Sequence, residues 1–316
     1  MQQGLLLVNL GSPASPQTAD VRAYLKTFLS DRSVIEMPPA LWQPILRGMI
    51  LPLRSWRSAT FYQHIWTKEG SPLIVYTQRI TQQVQAQLTD WDVRYAMTYG
   101  EPDIAQTLKS MAQAGCDHIV LLPLFPQYTQ STHDSIFRQA ATSQVPLTTI
   151  RHFYQDRAYL DLLADQVGQA YQQENFDAVL FSYHSIPSAM VAHGDPYPTE
   201  CQATTQGILD RLPDLPADKV QTVYQSKFGP MPWQKPYLKN TLMQLVTLGK
   251  RRVLIATPSF VADCLETLEE DYVQNYQTFK ASGGDTFKMV PPMNDDPRFA
   301  KVLAGLAQRK VRDDHA

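Results

Sequence analysis

Of the seven histidines in this 316-residue chain, His184 lies in the turn just after residues 178–181, an apolar run that reads as a strand buried on both faces. Pro187 stiffens the turn behind it. An imidazole in that place can serve as a base, a metal ligand or a hydrogen-bonding pocket wall. It can equally be a histidine tied to a loop carbonyl. Asp263, Glu266 and Glu270 follow a turn at Pro258 and open a helical pattern. Asp263 reads as an N-cap with Glu266 as its capping-box partner, and the helix dipole alone would account for these acids. Glu266 and Glu270 are nevertheless four residues apart and share a helix face. Carboxylates stacked there could pass a divalent cation inward or collect protons.

Two loops add hydrogen-bonding capacity. Gln225-Ser226-Lys227-Phe228-Gly229-Pro230-Met231-Pro232-Trp233 carries a cation, two polar side chains and a large aromatic on a stretch stiffened by proline. It suits a flat, carboxylate-bearing ligand, or it is a surface loop with a packing Trp. Pro126-Gln127-Tyr128-Thr129-Gln130-Ser131-Thr132 has similar character. A third feature is an apolar block including Trp42, Ile45, Leu46, Met49, Leu53 and Trp56, interrupted by scattered cations. Its simplest reading is core; the alternatives are a hydrophobic lip for a greasy substrate or a membrane-facing surface.

The elements that must position these residues alternate in type. Residues 5–8, 119–122, 178–181 and 253–256 are short apolar runs of the kind found in parallel sheets. Amphipathic helical patterns cover 18–28, 74–88, 104–114, 159–173, 199–212, 237–248, 263–282 and 298–310. This alternation predicts a doubly wound α/β fold. A repeat is also visible. Residues 5–8 and 178–181 each end in a polar turn, Asn9-Leu10-Gly11-Ser12-Pro13 and Ser182-Tyr183-His184-Ser185-Ile186-Pro187. Each half later runs a strand into a Pro-x-Phe turn, at Pro123-Leu124-Phe125 and Pro258-Ser259-Phe260. Two α/β halves joined near residue 150 are expected. In open α/β sheets ligands bind beyond the carboxyl ends of strands, where all four turns fall.

Several functions are excluded or disfavoured. No GxGxxG follows a strand, and neither a P-loop nor a GxSxG elbow is present. The formal net charge of −2, from 28 Lys+Arg against 30 Asp+Glu, does not suit a protein that grips nucleic acid. Cys116, Cys201 and Cys264 form no CxxC pair, so a disulfide framework or structural zinc site has no support. With no signal-peptide pattern before residues 5–8 and no apolar run long enough to span a bilayer, a cytoplasmic chain is expected.

The motifs Leu7-Val8-Asn9-Leu10-Gly11-Ser12-Pro13, Leu122-Pro123-Leu124-Phe125-Pro126-Gln127-Tyr128, Phe181-Ser182-Tyr183-His184-Ser185-Ile186-Pro187, Tyr224-Gln225-Ser226-Lys227-Phe228-Gly229-Pro230 and Asp263-Cys264-Leu265-Glu266-Thr267-Leu268-Glu269-Glu270 resemble those of ferrochelatases. They occur in family order across nearly the whole chain. The resemblance implies insertion of Fe2+ into a porphyrin, a late step of haem biosynthesis. It also implies two Rossmann-like (chelatase-like) halves, at 1–150 and 151–292, with the active-site cleft between them. A C-terminal helix within 293–316 would pack back on the first half.

By the same resemblance, His184 and Glu266 take the positions of the family's catalytic residues and would touch the metal. Glu270 falls on an outer path for metal or protons. Ser71, Gln225, Ser226 and Lys227 fall near the porphyrin propionates and Tyr128 in the cleft wall; Leu10 and Trp233 complete the expected porphyrin contacts. Some positions depart from the family pattern: Ser185 and Ser259 stand at common glycines, His133-Asp134 replaces a Thr-Gly pair, and Gln274 stands where many relatives carry an acid. Leu10 occupies the place where the coproporphyrin-using branch has a tyrosine. That favours protoporphyrin IX as substrate, with coproporphyrin III, or a non-catalytic porphyrin-binding role, as alternatives. Three cysteines are too few for the cluster that some members carry, so no cofactor is expected and Fe2+ is a substrate. The expected partners are the porphyrin and Fe2+, without nucleic acid or a transmembrane segment. Peripheral membrane contact is left open, and the chain is expected to be a monomer.

Overall fold

The computed structural model describes residues 2–314, which form two compact units. The first holds residues 2–125, 129–152 and 295–314; the second holds 126–128 and 153–294.

The first unit is built on strands β1 (Gln2–Asn9), β2 (Trp91–Met97), β3 (Cys116–Pro123) and β4 (Leu147–Thr149). They pair in the order β2-β1-β3-β4, all parallel. Leu5, Leu6, Leu7 and Val8 are completely buried, because β1 is central and covered on both faces. Each such side chain contributes roughly 1.5–3 kcal/mol of transfer free energy. Helices α1 (Thr18–Ser30), α2 (Pro39–Ile45), α3 (Leu51–Ile65), α4 (Pro72–Gln87), α5 (Ile104–Gln113) and α6 (Gln130–Ala140) supply the rest of this unit with the C-terminal helix Pro297–Asp314. That last helix packs against α4. The start of α5 shows the local logic: Asp103 accepts a hydrogen bond from the Gln106 amide at 2.8 Å, satisfying one of the orphan donors of the first turn.

The apolar block at 42–56 divides between inside and outside. Trp42, Leu46 and Leu51 are buried, whereas Met49, Leu53 and Trp56 are more than half exposed. A π-helical turn, Leu46–Ile50, joins α2 to α3 here. No helix among the described residues is long and apolar enough to cross a membrane.

The second unit repeats the plan. Strands β5 (Ala178–His184), β6 (Val220–Gln225), β7 (Arg252–Ala256) and β8 (Thr286–Met289) pair in the order β6-β5-β7-β8, again all parallel. Around them lie α7 (Arg157–Gln172), α8 (Ser188–Ala192), α9 (Tyr197–Leu209), α10 (Leu238–Thr247) and α11 (Tyr276–Ala281). The same strand order twice over is the structural form of the repeat seen in the sequence. The fold is α/β, with two similar parallel sheets flanked by helices.

One expected element differs. The single helix expected over 263–282 is a ten-residue π-helix, Glu266–Asn275, that continues into α11. Asp263 does not form a capping box with Glu266. Its carboxylate is already engaged by the Thr267 hydroxyl (2.8 Å) and the Asn294 amide (2.7 Å), so the helix begins beyond it with no side-chain cap.

Candidate active site

His184 is the last residue of β5, and its register partner on β6 is Gln225. The two therefore stand side by side at the carboxyl ends of adjacent parallel strands, where an α/β sheet presents its ligand-facing edge. The His184 Nδ1 lies 2.6 Å from the carbonyl oxygen of Ser185. A carbonyl can only accept, so Nδ1 carries a proton, and in the tautomer this contact selects the lone pair lies on Nε2. The expected alternative of a histidine tied to a loop carbonyl is thus present as well, and it orients the ring for chemistry at its other nitrogen. Phe260 lies against the imidazole with ring centroids 6.5 Å apart.

Gln225 is buried and makes a bridge. Its Oε1 accepts from the Ser182 hydroxyl at 2.5 Å, and its Nε2 donates to the backbone carbonyl of Glu266 at 3.3 Å. The strand end is thereby fastened to the first residue of the π-helix. In that helix hydrogen bonds close five residues back, as between the Tyr276 amide and the Asp271 carbonyl. The wider turn brings both Glu270 and Asp271 into electrostatic reach of Glu266.

The clustered acids have different surroundings. Glu266 and Glu270 are half-buried, while Asp263, Glu269 and Asp271 are buried. Burial pushes Glu270 above the usual carboxylate range, and hydrogen bonds from Ser226 oppose that shift. Asp271 is driven well above its ordinary value, first by burial and then by the charge of Glu270. Its Oδ1 accepts from the Asn275 amide at 2.9 Å, and its Oδ2 has no hydrogen-bond partner. In the sequence Asp271 is simply the acid that follows Glu270. Its burial follows from the π-winding, for which the sequence carries no plain signal.

Ser226 has an unusual backbone. Its φ is 68°, in the left-handed region, which costs a non-glycine residue roughly 1–2 kcal/mol. It is held there by Glu270, which accepts from the Ser226 amide at 2.8 Å on Oε1 and from the Ser226 hydroxyl on Oε2. Lys227 follows, exposed, with its Nζ 5.7 Å from the centre of the Tyr237 ring. Trp233 is half-buried and bridged through its backbone to Pro187, just beyond His184. Its indole Nε1 is buried without a partner.

The remaining expected porphyrin contacts are spread over both units. Tyr128 lies in the second unit, buried, with its backbone amide donating to Glu200 Oε2 at 2.7 Å. Thr204, one turn further along α9, accepts from the Gln127 side chain at 2.9 Å. Together these two residues hold 126–128 on the second unit, and neither was singled out in the sequence. Leu10 and Ser71 belong to the first unit. Leu10 is half-buried immediately after β1, and Ser71 is buried at the start of α4. Asn9 links their elements through a 2.9 Å bond from its amide to the Thr77 hydroxyl.

The structure therefore brings His184, Gln225, Ser226, Glu266 and Glu270 together at one sheet edge. Among the described residues, no group of three or more His, Cys, Asp or Glu is arranged to hold a metal ion. All three cysteines are free and buried, each on a different element or turn. An imidazole lone pair beside half-buried carboxylates can take up protons and offer a cation passing contacts.

Residues 2–311 match the family model described as Ferrochelatase. A coproporphyrin III ferrochelatase of Lactiplantibacillus plantarum is 68% identical over 317 residues, covering 100% of this chain and 98% of its own. One from Lacticaseibacillus paracasei is 58% identical over 312 residues, covering 98% of this chain and 97% of its own. Among solved structures, SirB from Bacillus subtilis with Fe3+ shares the fold, with a TM-score of 0.56 at 12% identity, covering 100% of this chain and 98% of that one. The chain belongs to the ferrochelatase family, enzymes that insert iron into a porphyrin.

Proposed function

We propose that this chain inserts Fe2+ into coproporphyrin III, with His184 and Glu266 as catalytic residues. The observation that carries the choice of porphyrin is the 68% identity, over the whole chain, to a relative named for that activity. It outweighs the inference from Leu10 toward protoporphyrin IX. A side chain at position 10 that can or cannot ligate iron says nothing direct about the porphyrin's rim. The two porphyrins differ at that rim: coproporphyrin III bears propionates where protoporphyrin IX has two vinyl groups.

The chemistry follows from the site. Two pyrrole N–H bonds break, two protons leave, and Fe2+ takes their place on the macrocycle nitrogens, so charge balances without any oxidation or reduction. His184, protonated at Nδ1 against the Ser185 carbonyl, presents Nε2 to receive one proton. Glu266 receives the other and touches the arriving cation. Glu270, raised in pKa by burial, holds a proton readily and so suits a path leading away from the site. Because iron is a substrate that must leave with the product, loose contacts serve better than a tight cage. Bending the macrocycle to expose its nitrogens is strain supplied by binding elsewhere, a task that fits the loop carrying Ser226, Lys227 and Trp233. No resident metal or cluster enters this scheme.

The test is anaerobic mixing with Fe2+ and each porphyrin in turn, following the Soret and Q bands. Turnover on coproporphyrin III should exceed that on protoporphyrin IX by about tenfold or more in kcat/KM. A preference for protoporphyrin IX would restore the reading from Leu10. Binding of both porphyrins without metallation would make the chain a carrier instead.

A further inference from the structure

The segment 226–232 leaves β6 and returns to the sheet edge at a point tied to the His184 turn. At its far end the Ser188 amide donates to the Pro232 carbonyl at 3.0 Å, and the Gln234 amide donates to the Ile186 carbonyl at 3.0 Å. These bonds fix the loop's return irrespective of the π-helix. The near end is held differently. Ser226 sits in a left-handed conformation that a serine does not choose for itself, and both of its donors converge on the two oxygens of Glu270. Lys227 is the next residue along, so its ammonium swings from whatever backbone direction Ser226 adopts. A carboxylate on the π-helix thus sets the course of a loop that carries a cation.

We infer that Glu270 is a positioning residue: it latches Ser226 in its left-handed conformation and so places Lys227 for the carboxylates on the porphyrin rim. The placement of Lys227 rests on the porphyrin reading given above; the latch itself does not. A role as latch makes a different demand on the side chain from a role as a station for metal or protons. The latch needs an acceptor for the Ser226 amide and any polar partner for the Ser226 hydroxyl. An amide satisfies both, because its oxygen accepts from the backbone N–H and its nitrogen donates to the hydroxyl oxygen. Metal or proton transfer needs the carboxylate. Glutamine therefore keeps the latch and loses the station, while alanine loses both.

Two measurements on the full chain without metal separate these roles. The first is limited proteolysis by a lysine-specific protease, reading cleavage after Lys227 by mass spectrometry. Glu270→Ala should be cut about tenfold faster than the unsubstituted protein, and Glu270→Gln at a rate within about twofold of it. The second is metal-free binding of coproporphyrin III, read by fluorescence quenching. Affinity should fall about fivefold or more in Glu270→Ala and remain close to the original in Glu270→Gln. Far-UV circular dichroism establishes that both variants are folded. Equal cleavage rates and equal affinities for the alanine and glutamine variants would overturn the latch. An unsubstituted protein that binds no coproporphyrin III would instead overturn the porphyrin reading, and the cleavage rates would still judge the latch.

Discussion

Gln225 and His184 are register partners at the ends of two parallel strands, and the Gln225 amide reaches on to the carbonyl of Glu266. A single buried side chain thus connects the strand that ends in the imidazole's neighbour to the first acid of the π-helix. Replacing it by an apolar residue, Gln225→Leu, leaves the buried Ser182 hydroxyl without its acceptor and frees the start of the helix. A loss of roughly 1–3 kcal/mol in unfolding free energy is expected, measured by urea denaturation. Metallation should slow more than stability alone explains, because Glu266 is no longer held in place; an unchanged kcat would separate the bridge from catalysis.

His184→Ala and Glu266→Ala should each lower porphyrin metallation by about a hundredfold or more, the usual scale of a lost acid–base group. Porphyrin affinity should be largely retained in both, since neither side chain supplies the main binding surface. Single-turnover stopped-flow absorbance with independent binding titrations makes the distinction. Turnover at the original rate in both variants would move the chemistry to other residues.

His133 gives a pH prediction away from the site. Burial holds its imidazole down to about 3, between the rings of Phe125 and Phe137, whose centroids are each 5.8 Å away. Unfolding releases the ring to its ordinary value of 6.5. The unfolded chain therefore binds the extra proton between those values, and stability falls as pH drops below about 6.5, continuing toward 3. Above that window the group contributes no pH dependence. In His133→Gln the slope of unfolding free energy against pH between 6 and 4 should become shallower, whatever the effect on stability at neutral pH. An unchanged slope would mean that other groups control acid unfolding.

Gly11 offers a steric test in the turn that follows Leu10. Its φ is 107°, and a Cβ there would lie 1.8 Å from the carbonyl oxygen of Tyr99. Gly11→Ala must displace that carbonyl, and a loss of about 2 kcal/mol or more is expected from strain and lost packing. Thermal unfolding measures it, and an unshifted midpoint would show that the Tyr99 turn yields freely.

How far the sequence disclosed this arrangement depends on burial. The four strands legible from it, at 5–8, 119–122, 178–181 and 253–256, lie within β1, β3, β5 and β7, the central pair of each sheet. A strand covered on both faces must be apolar throughout, and so it declares itself. β2 does not, because Asp92 and Arg94 sit along it as an ion pair 2.7 Å apart. β8 hides in the same way, being only half-buried over most of its length. Within the site, His184 and the acids after Asp263 were readable because their chemistry and position coincide at a strand end. The π-winding was not, since an i,i+4 pattern of acids is equally at home in an α-helix. Gln225 reads from the sequence as a polar loop residue, but its bridge to Glu266 depends on a strand, β6, that the sequence conceals.

The three thiols acquire a significance from their surroundings. Burial raises Cys116 to about 11 and lifts Cys201 and Cys264 well above the ordinary thiol value. Thiols kept protonated and enclosed are poor ligands and slow targets for peroxide. Cys264 lies only two residues from Glu266, where an exposed thiolate would compete for any cation reaching the proposed site. Enclosing the sulfur removes that competitor from beside the site. It also spares a protein that handles ferrous iron from oxidation by the radicals that iron and oxygen generate.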